Sequence, residues 1–113
     1  MKTLLSAVML LAALLLPAVA RAQSDARFSG AVIDSTGAFV PGAMIVVKNE
    51  RTGEVRTVTA NAQGRYVIPN LKPSVYTIRV TFGNFAPLEF TGLTLVAAQE
   101  FPLDLTLQPA GVT

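Results

Sequence analysis

Hydrophobic and polar residues alternate along several short stretches of the chain, which is the pattern of half-buried β-strands. The clearest stretch runs from Val75 to Phe82. One face of it carries apolar side chains, Tyr76, Ile78 and Val80, and the other face carries Thr77, Arg79 and Thr81. We therefore expect a strand that buries one side and exposes the other to water.

Turn-forming residues separate these stretches at strand-length intervals. They are Asp34 to Gly37, Pro41-Gly42, Asn49 to Gly53, Asn61 to Gly64, and Pro69 to Ser74. The pattern predicts seven strands, at 27–34, 43–49, 54–60, 65–68, 75–82, 88–95 and 101–107. No stretch between them has the length or the 3.6-residue period of a helix. The predicted fold class is all-β, a seven-stranded antiparallel sandwich of two sheets.

The alternation also predicts which residues face the core. The inward set is Phe28, Val32, Ala43, Ile45, Val47, Tyr66, Ile68, Leu71, Phe101, Leu103, Leu105 and Leu107, together with the three of the 75–82 strand. Phe82 and Phe90 lie within predicted strands and are expected in the core. Gly30 would let a neighbouring strand pack closely, and Pro69 is expected to end the fourth strand.

The first 22 residues have the layout of a bacterial export signal. Lys2 provides a positive start, Leu4 to Leu16 forms an apolar run, and Ala20-Arg21-Ala22 places small residues where a signal peptidase reads them. The apolar run is about 13 residues, whereas a membrane-spanning helix needs about 20. We predict cleavage after Ala22 and a mature chain in the periplasm, at the outer membrane or outside the cell.

Cleavage changes the charge of the protein. Lys2 and Arg21 would leave with the signal, so seven of the nine basic residues would face all seven acidic ones. A net charge near zero offers no basic surface for nucleic acid or anionic lipid, and neither is expected as a partner. About 91 of the 113 residues would remain, enough for one domain whose core must stabilise it without disulfides.

The residue inventory argues against catalysis. The chain contains no His and no Cys, so it lacks the usual ligands of a catalytic zinc ion and the usual bases of nucleophilic catalysis. Asp34 with Asn49 or Asp104 would offer oxygen ligands to Ca²⁺, but Asp34 and Asn49 are expected to bond to their own turns. We expect a protein that is not an enzyme and has no cofactor or metal.

Two sets of residues are candidates for ligand or partner contacts. Phe39 and Phe85 lie in loops and are the best candidates for exposed rings, although both rings could instead cover the open ends of the core. The second set is apolar and predicted to face outwards from neighbouring strands, namely Met44, Val46 and Val58. Such a patch would suit a protein partner or self-association, and the oligomeric state stays open.

Several motifs occur in a fixed order: Ser29 to Asp34, Thr36-Gly37, Val40 to Ala43, Ile45 to Val47, Asn49 with Thr52-Gly53, Gly64 to Tyr66, Leu71 with Pro73, and Tyr76 followed by Gly83. As an ordered set they resemble the carboxypeptidase regulatory-like domain. The resemblance implies a prealbumin-like Greek-key sandwich, related in shape to starch-binding and Cna-B-type modules, that binds or supports without catalysis. One position departs from the family pattern, because Ser74 stands where members usually have Gly.

The resulting domain layout is a signal peptide at 1–22, a flexible leader at 23–26, the β-sandwich at 27–108 and a C-terminal tail at 109–113. A signal followed at once by this module resembles the amino-terminal extension of Oar-like TonB-dependent outer-membrane receptors. In such receptors a segment like Leu103 to Thr113 leads towards the plug. A free-standing module, a fragment and a truncated receptor all stay open, as does a carbohydrate-binding module of starch-binding-like fold.

Overall fold

The computed structural model describes residues 25–111. The predicted signal peptide, Gln23 and Ser24 of the leader, and the last two residues of the tail lie outside the described residues. Every regular element between residues 25 and 111 is a β-strand. That part of the chain accordingly contains no helix long and apolar enough to cross a membrane.

The described residues form eight strands, not the predicted seven. They are β1 (Ala26–Asp34), β2 (Met44–Asn49), β3 (Val55–Thr59), β4 (Arg65–Leu71), β5 (Ser74–Thr81), β6 (Leu88–Leu95), β7 (Glu100–Pro102) and β8 (Leu105–Leu107). The first strand includes Ala26, which is buried and was assigned to the leader. The count differs because the predicted strand at 101–107 is two strands.

The break between β7 and β8 lies where the chain passes Gly30 of β1. Both short strands pair with β1 in the same register, with Arg27 opposite Glu100 and Val32 opposite Leu105. Between them, the amide of Ala31 donates to Oδ1 of Asp104 at 3.0 Å instead of to a backbone carbonyl. A side chain therefore replaces one ladder bond, and the strand is interrupted without a shift of register.

The two sheets pack face to face as a sandwich. One has the order β4-β1-β7, with β8 also paired to β1, and the other has the order β3-β2-β5-β6. The predicted antiparallel pairing holds except between β1 and the last two strands, which run parallel to it. Parallel neighbours need a long connection, and here the connection is nearly the whole domain. The alternation of apolar and polar residues does not show whether two neighbouring strands run parallel or antiparallel, so the sequence pattern could not predict this pairing.

The core lies between the sheets and contains most of the predicted inward-facing residues. Buried are Phe28, Val32, Ala43, Ile45, Val47, Tyr66, Ile68, Leu71, Tyr76, Ile78, Val80, Leu105 and Leu107, whereas Phe90, Phe101 and Leu103 are partly buried. Phe82 was wrongly expected in the core. It follows the last residue of β5 and is 39% exposed, because the alternation ends with the strand.

Pro69 does not end β4, contrary to the prediction. The strand continues to Leu71, which pairs with Ala26, and the register shifts between Ala26 and Phe28. A bulge lies at this shift, and Pro is tolerated there because its missing N–H costs no ladder bond. The end of β4 is therefore bent rather than terminated.

The polar turn residues bond to their own turns, as predicted. Oδ1 of Asn49 accepts the amides of Arg51 at 2.9 Å and Thr52 at 3.3 Å. It also accepts the buried hydroxyl of Ser74 at 2.8 Å. Ser74, the departure from the family pattern, thus ties the start of β5 to the turn after β2.

Replacing Gly30 with Ala is expected to destabilise the domain strongly. A Cβ atom at this position would lie 2.1 Å from the carbonyl oxygen of Leu103, a backbone atom that can move only if the β7–β8 junction moves. Overpacking of this kind costs about 1–3 kcal/mol. Chemical denaturation should show that loss for Gly30→Ala, whereas the neighbouring Ser29→Ala should stay within about 0.5 kcal/mol of the parent. Equal stability of the two variants would contradict the close approach.

Candidate functional site

The loops of the sandwich gather at the two opposite ends of β1. Asp34, the last residue of β1, pairs with Leu107, whereas Ala26, the first, pairs with Leu71. A cleft of about 300 Å³ lies beside Asp34, and a pocket of about 120 Å³ lies beside Leu71. The two cavities are therefore separated by the length of the strand.

The larger cavity, here named the Phe85 cleft, is lined by Asp34, Ser35, Thr36, Asn84, Phe85 and Pro109. Its wall is built by a short backbone pairing of the β5–β6 loop with the segment after β8. The amide of Ala86 donates to the carbonyl of Gln108, and that of Ala110 donates to the carbonyl of Asn84, both at 2.8 Å. The start of the predicted tail is thus part of the cleft.

The two loop phenylalanines have different surroundings. Phe39 is 54% exposed and is not among the cleft residues. Phe85 is half-buried, packs against the core and lines the cleft, and its ring centroid lies 6.3 Å from that of Phe82. Phe85 therefore both covers the end of the core and presents an aromatic surface beside polar groups.

Asp34 provides the charge of the cleft. Its Oδ1 accepts bonds from the amide and hydroxyl of Thr36, at 2.8 and 2.6 Å, and from the amide of Ala38 at 3.0 Å. The hydroxyl bond from Thr36 is the largest influence and, with the amide bonds, lowers the pKa of Asp34. Because these bonds all go to Oδ1, the ionised carboxylate keeps Oδ2 for a ligand.

The predicted outward-facing apolar patch is not formed. Met44 is 47% exposed and Val46 is half-buried, but Val58 pairs with Ile45 and packs against the core. Directly opposed residues of an antiparallel pair share a face, so placing Val58 beside Val46 was wrong. Val46 has Thr57 and Arg79 as its neighbours on the outer face instead.

The smaller cavity, here named the Arg56 pocket, lies near the edges of the two sheets, between β3 and the end of β4. Most of the residues that line it are polar, among them Glu54, Arg56, Asn70, Lys72 and Tyr76. Arg56 pairs with the buried Val47 and so enters from the inner face of β3. Its Nη2 donates to the carbonyl of Asn70 at 2.6 Å, where the backbone of Asn70 takes a positive φ of 58°.

Tyr76 forms the inner wall of this pocket. Its hydroxyl donates to the carbonyl of Lys72 at 2.6 Å and fixes the chain where Lys72 follows β4. Burial raises the pKa of Tyr76, the charge of Arg56 opposes that rise, and the charge of Glu54 adds to it. The phenol therefore stays protonated and remains a hydrogen-bond donor at neutral pH.

The structure does not bring together the oxygen ligands considered for Ca²⁺. Asn49 lines the Arg56 pocket, whereas Asp34 lines the Phe85 cleft at the other end of the sandwich. Oδ1 of Asp104 is engaged by the amide of Ala31. Within residues 25–111, no three His, Cys, Asp or Glu side chains are grouped as a metal site.

Sequence reasoning did not find the Arg56 pocket. Arg56 comes two residues before Val58, so the assignment of Val58 to the outer face also placed Arg56 outside. The available signal was the turn from Asn49 to Gly53, because hairpin loop length fixes register. Lys72 reaches the same pocket only because β4 continues past Pro69.

A comparison with protein families gives a match over residues 27–108, to the carboxypeptidase regulatory-like domain. The chain belongs to this family. The predicted family is therefore confirmed, and the all-β sandwich agrees with it. No curated protein matches the chain.

Solved structures share the fold of this family member. A Bacteroides uniformis ATCC 8492 protein, provisionally named a carbohydrate binding protein, is 25% identical with a TM-score of 0.63, over 76% of this chain and 42% of that one. Catechol 1,2-dioxygenase from Pseudomonas arvilla C-1 is 12% identical with a TM-score of 0.62, over 80% of this chain and 54% of that one. The Bacillus anthracis TIE protein is 15% identical with a TM-score of 0.61, over 76% of this chain and 17% of that one.

These coverages mean that the chain spans about half the length, or less, of the three matched structures. The dioxygenase and the TIE protein share the fold alone with this chain, because their sequences are so different. The Bacteroides protein is the more similar of the three in sequence.

Replacing Thr36 with Val is expected to raise the pKa of Asp34 towards its ordinary value of 3.8, because the hydroxyl bond is the largest cause of its depression. A depressed pKa stabilises the fold above the unfolded value, and that stability is lost as pH falls through the folded value. Carboxyl NMR titration should show the rise in Thr36→Val. Denaturation between about pH 5 and pH 2 should show a smaller acid-induced loss of stability than in the parent.

Ser35→Ala is the matched control, because Ser35 lines the same cleft and makes no bond to Asp34. It should leave the titration of Asp34 unchanged. An identical Asp34 titration in Thr36→Val and the parent would contradict the assigned cause.

Proposed function

We propose that this carboxypeptidase regulatory-like domain acts after export as a non-catalytic binding module. The observation that carries the proposal is the Phe85 cleft, an aromatic and polar cavity formed by loops at one end of a rigid sandwich. Loops held by a stable scaffold are the usual place for binding residues. The core and turn residues account for the fold, and the cleft residues Asn84 and Ser35 are left for a ligand.

Export is proposed from the pattern of the first 22 residues. The positive start, the short apolar run and the small residues before Gln23 are those of a cleaved signal. The first strand begins at Ala26, only three residues after the proposed cleavage point. Cleavage at this point would therefore leave every described strand intact.

The setting proposed for the module is the amino-terminal extension of a TonB-dependent outer-membrane receptor. A signal followed directly by a domain of this family supports it. In that setting the module would bind a protein or saccharide in the periplasm and would have no chemistry of its own.

We expect the mature protein to begin at Gln23, and we expect the gene to continue in frame beyond Thr113 into a plug domain. Amino-terminal sequencing of the protein recovered from the cell envelope tests the first point, and sequencing the DNA downstream tests the second. An uncleaved start at Met1 would contradict export by this signal. A stop codon directly after Thr113 would contradict the receptor setting and leave the binding proposal intact.

Carbohydrate is the second candidate ligand, and one observation favours it. The Phe85 cleft places an aromatic ring beside a carboxylate, two hydroxyls and an amide. Sugars present apolar C–H faces that pack on rings and hydroxyls that need polar partners. The likeness to the Bacteroides protein supports the same ligand class by analogy.

The cleft suits a neutral sugar for a further reason. The bonds from Thr36 and Ala38 go to Oδ1 of Asp34, so Oδ2 is available to the hydroxyl groups of a sugar. Within the described residues the side-chain amide of Asn84 makes no hydrogen bond and is available as well. One carboxylate without a nearby cation in the lining would repel an anionic ligand. Neutral oligosaccharides are therefore the ligands to test first.

Replacing Asn84 with Ala is expected to weaken oligosaccharide binding without unfolding the domain. The substitution removes the side-chain amide and keeps the carbonyl that accepts from Ala110. One lost hydrogen bond of about 0.5–1.5 kcal/mol corresponds to a two- to tenfold weaker affinity. Calorimetry or NMR titration with a panel of neutral oligosaccharides measures the change.

Phe39→Ala is the matched control, because Phe39 is an exposed loop ring outside the cleft. It should bind as the parent does. Unchanged NMR spectra across the whole panel would reject carbohydrate binding at the cleft, and equal weakening by both variants would reject the cleft as its place.

A further inference from the structure

The Arg56 pocket combines features that the binding proposal above does not use. The guanidinium of Arg56 lies on the inner face of an edge strand, fixed through Nη2 to the carbonyl of Asn70. Its Nε is buried and has no hydrogen-bond partner among the described residues. A buried donor without an acceptor is costly, so a carboxylate in the pocket would be stabilised if a small movement of the half-buried Arg56 side chain brought Nε into contact with it.

A second cation lines the same cavity. Lys72 follows β4, and its backbone is fixed by the hydroxyl of Tyr76. Within residues 25–111, no carboxylate lies within 4 Å of Arg56 or Lys72, although other pairs do form ion pairs. Glu54 is the one acidic residue in the lining, so two cations face one anion.

The cavity limits what these groups can hold. About 120 Å³ has room for a carboxylate group together with several water molecules. The planar fork of Arg matches the two oxygens of a carboxylate, and Lys supplies a point charge beside it. The remainder of a ligand would lie at the mouth, beside Thr52 and Glu54.

We propose that the Arg56 pocket binds the carboxylate of an acidic sugar, a uronate unit, at the end of the sandwich opposite the Phe85 cleft. This inference rests on the proposed saccharide-binding function for its ligand class, and uses a different site. Arg56 accounts for recognition of the carboxylate through Nε. Lys72 contributes charge.

An inward-pointing charge on an edge strand also discourages strand pairing with another molecule. That role explains why Arg56 occupies β3. It does not explain the cavity, the unpartnered Nε or the approach of Lys72 from the other sheet. The two roles make different predictions for ligand titration.

The test uses the protein purified from the cell envelope after expression of the full chain. It is titrated with sodium glucuronate, with glucose as the neutral matched sugar and with inorganic phosphate, at constant ionic strength. NMR follows the Nε–H signal of Arg56 and the amides of Thr52 and Lys72. Glucuronate is expected to shift these three signals in a saturable way, and glucose is expected to leave them unchanged.

Three substitutions give the expected order of affinities. Arg56→Gln should weaken glucuronate binding by about tenfold or more, because a charge-assisted bond is lost. Lys72→Gln should weaken it about two- to fivefold, and Glu54→Gln should strengthen it by a similar factor, as expected for partly exposed charges. Arg65→Gln is the control, because Arg65 lies at the opposite end of β4, opposite Ala31, and should have no effect.

Other outcomes would overturn the inference. A carboxylate site would be rejected if glucose caused equal shifts, or if phosphate bound and glucuronate did not. It would also be rejected if Arg56→Gln and Arg65→Gln weakened glucuronate binding equally, because the binding would then reflect general charge attraction. If Arg56→Gln does not fold, Lys72→Gln and Glu54→Gln still decide, because a site requires each of their opposite effects on affinity to exceed the effect of the distant Arg65→Gln. Neutral oligosaccharides that bind at the Phe85 cleft while glucuronate fails would reject this inference alone. Failure of both would reject saccharide binding altogether.

Discussion

The sandwich depends on the close approach of Gly30 in β1 to the backbone of Leu103. At this point the chain brings its last strands parallel to its first, and there is no space for a side chain on β1. Two side chains hold the junction: the hydroxyl of Tyr66 donates to the carbonyl of Leu103 at 2.5 Å, and Asp104 accepts from Ala31. Burial and the charge of Asp104 raise the pKa of Tyr66, so the hydroxyl keeps its proton over the ordinary pH range.

The same junction determines where ligands can bind. Because β8 stays in register with β1, the residues after it run alongside the β5–β6 loop and pair with it. Pro109 then closes the Phe85 cleft on one side. A contact at the middle of β1 thus shapes a cavity at its end, and the loss of that contact would affect binding as well as stability.

Sequence reasoning predicted the parts of the fold that depend on local chemistry. Alternation identified Ile45, Val47 and Ile78 as core residues, and turn chemistry assigned the side chains of Asp34 and Asn49 to their own loops. These inferences need only a period of two and the hydrogen-bonding habits of Asp and Asn. The family resemblance then named the sandwich.

Features that depend on pairing between distant segments were missed. The outward assignment of Val58 failed because a one-residue difference in hairpin register moves a side chain to the other face. The interruption at Asp104 was not visible because its cause is Ala31, a residue 73 positions away. The Arg56 pocket needs both β3 and the bent end of β4, and no local pattern relates them.

Net charge gives little information about binding in such a module. A mature chain with seven basic and seven acidic residues would attract neither sign of ligand over a distance, because salt screens exposed charges beyond about 8–10 Å. The charges are nevertheless unevenly placed, with the carboxylate of Asp34 in one cavity and Arg56 and Lys72 in the other. Selectivity would therefore arise only after contact. It would depend on which buried donors and acceptors of the domain form hydrogen bonds with the ligand. On that basis the two ends of one neutral sandwich can prefer ligands of different charge.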